Sequence, residues 1–178
     1  SGKAENGKST AAKITKRLLE ERGYKVVKIA FADYVKDTAK TLFGWNGEKD
    51  EAGRALLQRW GTDIVRKKDE NFWVDTVIRL IGMLEGTYDF VIIDDARYEN
   101  EIDRVAAVYP TSTVRVSRPN HTNCLTPEQR EHISETSLDN YPFDIYLTAQ
   151  TVQELEEQIK AVLLPVIEKG VHNAERAG

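Results

Sequence analysis

The sequence has very little cysteine and no long run of apolar residues. Cys124 is the only cysteine among 178 residues, which excludes an intramolecular disulfide framework and a cysteine-based zinc site. No stretch approaches the roughly 18 unbroken apolar residues that a membrane helix needs. The chain starts at Ser1 without a basic-then-apolar signal segment. We therefore expect a cytoplasmic protein that does not engage a membrane.

An excess of positive charge is also missing. The formal net charge is −4, whereas proteins that bind nucleic acid usually carry a basic face, so we do not expect a nucleic-acid polymer as a partner. Phosphate ligands remain compatible with this charge, because local arginines and backbone N–H groups hold them. The length suits one domain, and the chain has no internal repeat or Pro/Gly-rich linker. We treat residues 1–178 as a single domain.

Helical and strand patterns alternate along the chain. Apolar residues at helical spacing predict a helix from Gly7 to Arg22, and Phe90–Ile93 is the clearest buried strand. The other predicted strands are Tyr24–Phe31, Ser112–Ser117 and Phe143–Leu147, and the other predicted helices are Asp33–Phe43 with Asp33 as its cap, Glu48–Lys68, Phe72–Leu84, Glu99–Val108 and Thr151–Glu168. This alternation predicts an α/β fold, a parallel sheet with helices on both faces and ligands at the carboxyl ends of its strands.

The first nine residues contain a phosphate-loop motif. Gly2-Lys3-Ala4-Glu5-Asn6-Gly7-Lys8-Ser9 fits G-x-x-x-x-G-K-[ST] without a mismatch, a pattern whose backbone N–H groups surround phosphate oxygens. We expect the ATP-binding residues Gly2, Asn6, Gly7, Lys8, Ser9 and Thr10 to lie here. Lys8 would bridge the β- and γ-phosphates and Ser9 would ligate Mg²⁺. The motif normally follows a buried strand, so we also expect an apolar segment ahead of Ser1 in the native chain.

Two acidic residues and three arginines complete the predicted chemistry. Asp94 and Asp95 end the Phe90–Ile93 strand, where a carboxylate can position Mg²⁺. Arg66, Arg97 and Arg118 stand on a predicted helix or just after strands, and the arginine fork can grip phosphate with two hydrogen bonds. We predict Lys8, Arg97 and Arg118 as catalytic residues.

The ordered series of short motifs resembles the deoxynucleoside monophosphate kinases of the bacteriophage type. The resemblance runs from the phosphate loop to about Leu155. Its marks are Phe31-Ala32-Asp33 with Lys36, Leu42-Phe43-Gly44, Gly47-Glu48-Lys49-Asp50, Leu57-Gln58, Gly61-Thr62-Asp63 with Arg66, Asn71-Phe72-Trp73-Val74, Asp95-Ala96-Arg97-Tyr98 with Asn100-Glu101, Arg118-Pro119 and His132-Ile133-Ser134-Glu135.

This resemblance implies transfer of the γ-phosphoryl group of ATP to a deoxynucleoside monophosphate, with Mg²⁺, in a three-layer P-loop NTPase fold. It also implies a homodimer and a mobile lid at about residues 118–140. Arg130 of the lid would contact ATP. The residues expected to bind the acceptor are Asp33, Lys36, Trp60, Arg66, Trp73, Arg97, Arg118 and Glu135. We expect the charged lid residues to gain partners only when both nucleotides are bound.

Two other interpretations remain open at this point. The same fold could phosphorylate another small phosphorylated acceptor, as phosphomevalonate- or dephospho-coenzyme-A-like kinases do. Alternatively, the chain could be a non-catalytic nucleotide-binding module. An assay of ADP release against each nucleoside monophosphate distinguishes all three.

Overall fold

The computed structural model describes residues 1–48 and 50–177, with side chains described as far as residue 170. In this part of the chain, four short strands alternate with helices. The strands are β1 (Val26–Ile29), β2 (Phe90–Ile93), β3 (Val114–Ser117) and β4 (Ile145–Thr148). The α-helices are α1 (Lys8–Glu20), α2 (Phe31–Phe43), α3 (Glu51–Gln58), α4 (Phe72–Leu84), α5 (Glu99–Ala106), α6 (Pro127–Glu131), α7 (Ile133–Thr136), α8 (Val152–Gln158) and α9 (Leu164–Ala177). Two π-helices, Arg59–Arg66 and Ile159–Leu163, continue α3 and α8.

The strands form two parallel pairs. β1 pairs with β2 in the register Val26 to Phe90, and β3 pairs with β4 in the register Val114 to Ile145. Within the described residues the two pairs share no ladder, so the single sheet that we predicted is divided in two. Ser1 lies along β3: its backbone nitrogen donates to Val114 O at 2.7 Å, and its carbonyl accepts from Val116 N at 2.8 Å.

Helices cover both faces of the β1–β2 pair, which gives the three layers. Phe90 and Ile92 pack into the core around α1, β3, β4 and the C-terminal helices. The alternate residues Val91 and Ile93 pack into a second core with α2, α4 and α5. Successive residues of β2 thus pack on opposite faces of the sheet, as expected when helices cover both faces. The predicted α/β class is confirmed.

Several predicted element bounds need correction; the strand predicted over Tyr24–Phe31, for example, is shorter, because Phe31 already belongs to α2. Asp33 does not cap α2, because the helix begins earlier at Phe31 and Ala30 is its cap residue. The helix predicted over Glu48–Lys68 starts at Glu51 and changes to π-geometry at Arg59. The closing helix predicted over Thr151–Glu168 contains a π-segment, Ile159–Leu163.

No helix in the described part of the chain combines the length and hydrophobicity of a membrane span.

Candidate active site

The phosphate loop packs tightly against β3 and folds over its own lysine. A Cβ atom at Gly2 would lie 2.3 Å from the carbonyl oxygen of Val116, so only glycine permits this approach. Gly7, with a φ of 89°, ends the loop and α1 begins at Lys8. Lys8 Nζ donates to the carbonyl oxygens of Gly2 at 2.8 Å and Lys3 at 2.7 Å. The loop thus encloses the ammonium group that the motif assigns to phosphate.

Positive charge is concentrated around this ammonium group. The pKa of Lys8 is lowered to about 8, chiefly by burial and also by the nearby guanidinium groups of Arg97 and Arg115. The carboxylates of Asp94 and Asp95 act in the opposite direction. Three cations in one partly buried place are costly without a counter-ion, so the site is suited to a multiply charged anion.

A carboxylate from the lid already occupies part of this anion site. Glu135 Oε2 accepts the backbone N–H of Ala4 at 2.9 Å, and Glu135 Oε1 accepts from Arg97 Nη1. Arg97 Nη1 also donates to the carbonyl oxygen of Ser134 at 3.2 Å. The Glu135 side chain is only 8% exposed. A loop N–H and a guanidinium are groups that phosphate oxygens normally engage, so Glu135 stands where such an oxygen would bind.

Asp94 and Asp95 at the end of β2 have different surroundings. Asp95 accepts the backbone N–H groups of Phe31 at 2.9 Å and Ala32 at 2.8 Å, and therefore holds the start of α2. Burial raises the pKa of Asp95, although these two hydrogen bonds act to lower it. Asp94 Oδ1 lies 3.1 Å from Lys28 Nζ of β1. In the described part of the chain, Oδ1 is the one side-chain oxygen of Asp94 with a hydrogen-bond partner.

Arg66 and Glu101 form a buried pair beside this site. Arg66 Nη2 donates to Glu101 Oε1, and the two side chains are 10% and 4% exposed. The Arg66 guanidinium also stacks on the Tyr98 ring, 3.8 Å from its centroid. Glu101 Oε2 accepts the backbone N–H groups of Arg97 at 2.7 Å and Tyr98 at 3.1 Å. The Glu101 carboxylate therefore binds both the side chain of Arg66 and the backbone N–H of Arg97.

Comparison with known proteins identifies the family. The sequence profile of the deoxynucleotide monophosphate kinase family matches residues 14–159, which is more than half of the chain. The chain belongs to this family. The matched segment begins inside α1, so the phosphate loop precedes it. No curated protein matches the sequence. Among solved structures, a mutant of the Mycobacterium tuberculosis APS kinase CysC is similar, with 14% identity, a TM-score of 0.48 and 92% of each chain covered.

Membership confirms the resemblance seen in the sequence. The protein is a nucleotide kinase that transfers a phosphoryl group from ATP to a deoxynucleoside monophosphate, and nucleotides are its substrates. The two other interpretations, a kinase of a different small acceptor and a non-catalytic module, are set aside on the same ground. The Mg²⁺ requirement and the roles of single residues stay predictions.

The lid of the kinase contacts the phosphate loop directly. Glu5 of the loop accepts from Cys124 Sγ at 2.6 Å and lies 3.4 Å from His121 Nε2. Lys3 Nζ donates to Asp139 at 2.6 Å and to the Glu135 carbonyl oxygen at 2.6 Å. Glu135 therefore has protein partners in this structure. So does Arg130, which donates to Asn123 within the lid itself. The expectation that the charged lid residues gain partners only with nucleotides stays a prediction.

Four of the predicted acceptor residues are occupied by local contacts. Trp73 is 2% exposed and its indole N–H donates to Gly61 O at 3.0 Å, so it packs in the core and offers no free face to a base. Trp60 donates to Thr38 Oγ1 at 2.8 Å and packs on Phe43. Lys36 and Asp33 pair with each other at 2.9 Å on α2.

An arginine that sequence reasoning missed, Arg115, lies near Lys8 and Arg97. Arg118 is exposed after β3, and its guanidinium has no ion pair among the side chains that the structure describes. Arg115, three residues earlier within β3, lies close enough to Lys8 and Arg97 to affect their pKa values. It also donates to Asp139 at 3.0 Å. The alternation of Val114 and Val116 with Arg115 was the signal, because it directs Arg115 away from the core.

Proposed function

We propose that the phosphate loop, Lys8 and Arg97 hold the phosphoryl group that passes from ATP to the deoxynucleoside monophosphate. The observation that carries this proposal is the meeting of the loop N–H of Ala4 and the Arg97 guanidinium at one carboxylate, Glu135, with the enclosed Lys8 close enough to Arg97 for that guanidinium to lower its pKa. Phosphoryl transfer needs positioned cations far more than covalent chemistry. No protein nucleophile is required, and Ser9 is not one.

The residues at the loop and at the end of β2 fit a magnesium ion. Ser9 is exposed in the first turn of α1, and the Asp94 carboxylate lies near Lys8. Mg²⁺ is commonly held by one or two protein oxygens together with substrate phosphates. We propose Ser9 and Asp94 as its ligands and assign Asp95 to α2. A bound Mg²⁺ would neutralise charge on the ATP phosphates.

Arg66 and Arg97 are proposed to bind the acceptor. Arg66 borders an open cleft of about 370 Å³, together with Thr62, Asp63, Tyr98 and Asn100. Glu101 binds the Arg66 side chain at this cleft and also accepts the backbone N–H of Arg97, so Arg97 lies beside the cleft. The remaining sequence predictions are kept as proposals for the complex with both nucleotides: Asn6, Gly7, Thr10 and Arg130 for ATP, and Asp33, Lys36, Trp60 and Arg118 for the acceptor.

A coupled assay of ADP release tests this function. The purified chain is offered ATP, Mg²⁺ and each deoxynucleoside or ribonucleoside monophosphate in turn. Release of ADP that depends on at least one deoxynucleoside monophosphate is expected, and the pattern across substrates gives the base and sugar preference. ADP release that is the same with and without any monophosphate would contradict acceptor binding.

The proposal also covers the cellular setting of the kinase. We propose that the kinase acts in the cytoplasm, that of the host if a bacteriophage encodes it, and that it forms a homodimer. The net charge of −4 supports substrates that are nucleotides and not nucleic-acid polymers. Light scattering during size-exclusion chromatography measures the oligomeric state directly.

A further inference from the structure

Glu101 is a buried carboxylate with contacts on both sides. It lies in the first turn of α5, and its side chain is 4% exposed. Oε2 faces the backbone N–H groups of Arg97 and Tyr98, while Oε1 faces the Arg66 guanidinium. Arg66 is 35 residues away along the chain, at the end of a π-helix. Two separate segments therefore meet at one side chain.

Capping of α5 explains only half of this arrangement. A glutamate at the third position of a helix accepts N–H groups from the cap with one oxygen, and it can do so at the surface. Burying a carboxylate is costly unless it is both paired and hydrogen-bonded. At Glu101 burial raises the pKa to about 7, although Arg66 and the backbone donors act to lower it. Such a cost needs a reason beyond helix capping.

The second oxygen of Glu101 fixes the guanidinium of Arg66. Tyr98 holds one face of that guanidinium by stacking at 3.8 Å. Asn100 Oδ1 and the Glu70 carbonyl oxygen accept from Nη1 at 3.4 and 3.3 Å. Glu101 supplies the charged partner at Nη2. With these contacts the Arg66 fork has one orientation at the edge of the cleft.

We propose that Glu101 is a positioning residue for the acceptor nucleotide, fixing the Arg66 guanidinium at the edge of the cleft where the monophosphate binds. The proposal rests on the acceptor role assigned to Arg66 above. Glu101 acts through Arg66 and does not touch the substrate.

The substitution Glu101→Gln tests this role with little change in shape. A carboxamide has one acceptor oxygen and one donor nitrogen, so it cannot accept hydrogen bonds on both sides as the carboxylate does. We expect KM for the deoxynucleoside monophosphate to rise about tenfold or more, while kcat changes by less than about threefold. The Kd of ATP measured without acceptor stays unchanged.

Glu99→Gln is the matched control. Glu99 is an exposed carboxylate in the same first turn of α5, so its loss removes the same charge from the same helix end. Its KM for the acceptor is expected to stay within about twofold of the wild-type value. An equal rise of KM in Glu99→Gln would show that the effect is the charge of α5, and would overturn the proposal.

A double-mutant cycle with Arg66→Ala separates positioning from an unrelated effect. If Glu101 acts largely through Arg66, Glu101→Gln raises the acceptor KM much less in the Arg66→Ala background than in the wild type. Full additivity of the two effects would overturn the proposal. If Arg66→Ala and Arg97→Ala leave the acceptor KM unchanged, the proposed acceptor site fails as well; if they raise it and Glu101→Gln does not, only the Glu101 inference fails.

Glu101→Asp covers the case in which the glutamine variant does not fold. Aspartate keeps the charge on a shorter side chain, and we expect an acceptor KM between the wild-type and Glu101→Gln values. Circular dichroism and the midpoint of thermal unfolding establish that each variant is folded at the assay temperature. If neither variant folds, Glu101 supports the fold as a whole and the proposal is overturned.

Discussion

At the scale of single residues, the functional groups of this kinase are held by backbone groups as much as by side chains. Lys8 donates to two loop carbonyls, Asp95 accepts two N–H groups of α2, and Glu101 accepts two more at α5. Backbone partners move little, so they place charged atoms more reproducibly than two flexible side chains could. The residue-scale predictions follow from these contacts.

Lys8→Ala should lower kcat by a factor of about one hundred or more with the fold intact, because the ammonium neutralises charge that develops during phosphoryl transfer. Steady-state kinetics and circular dichroism measure both effects. Lys13→Ala is the control, since Lys13 is an exposed lysine on the same helix α1. Near-normal turnover in a folded Lys8→Ala protein would remove the phosphate loop from the mechanism.

Glu101 also makes a prediction about stability against pH. Its pKa in the folded chain is raised from 4.5 to about 7, so the folded state binds this proton more tightly than the unfolded state. The stability that Glu101 contributes to the folded state is therefore fully present below pH 4.5, and it is lost as the pH rises towards 7. Glu101→Gln cannot titrate. We expect the unfolding free energy of the wild type to fall relative to that of Glu101→Gln over this range.

Urea titrations at several pH values measure this difference. Other groups titrate in both proteins and cancel in the comparison. A difference that stays constant from pH 4.5 to 7 would mean that Glu101 remains ionised throughout, with Arg66 outweighing its burial.

At the scale of elements, the lid is fastened to the phosphate loop at three neighbouring residues. Lys3, Ala4 and Glu5 each contact the segment between His121 and Asp139. Glu5 has a positive φ of 61°, which is uncommon for a residue other than glycine. We therefore expect nucleotide binding to affect loop and lid together, and two predictions concern this contact.

Glu135→Gln should strengthen ATP binding several-fold, because a neutral amide competes less with phosphate for Ala4 N–H and Arg97. Isothermal titration calorimetry without acceptor measures it. Glu131→Gln is the control, being an exposed glutamate at the end of α6. Unchanged ATP affinity together with a higher KM for the monophosphate would instead support the acceptor role that the family resemblance implies for Glu135.

Amide hydrogen exchange should be faster across residues 120–130 than across β2 in the free kinase, because most side chains of that segment are exposed and it buries little apolar surface. A bisubstrate analogue should slow exchange in the segment and leave β2 unchanged. Equal exchange of the segment with and without the analogue would show that the lid is a fixed part of the fold.

At the scale of the whole molecule, one core joins the two strand pairs. Val26 of β1 lies in the same buried cluster as Val116, Ile145 and Leu147 of β3 and β4. The two pairs share no hydrogen-bonded ladder in the described residues, so this packing carries much of the connection between them. We therefore predict that residues 1–178 unfold as one domain.

Leu147→Ala tests this cooperativity. Leu147 is fully buried, so its truncation should lower the unfolding free energy by about 2–5 kcal/mol. Val152→Ala, an exposed position, is the control. Fluorescence of Trp45, Trp60 and Trp73 monitors the unfolding of a segment that is far from β4 along the chain. Circular dichroism monitors the unfolding of all the helices. The two transitions should shift together, whereas a shift in only one would indicate two independent units.

Local sequence patterns determined the elements and the phosphate loop. The bounds of α4 and β2 agree with prediction at both ends, and the loop ends at Gly7 as the motif requires. Periodicity, β-branched content and glycine spacing act over a few residues, so they can be recognised without the fold. The family resemblance rests on the same kind of short, ordered signals.

The tertiary structure alone decided which polar groups have partners. Asp95 binds the start of α2, 63 and 64 residues away, Glu101 binds Arg66 at 35 residues, and Glu135 binds Ala4 at 131. It also placed Trp73 in the core and Arg115 near Lys8. A residue type states which bonds a side chain can make, but only the packing of distant segments determines which of them form.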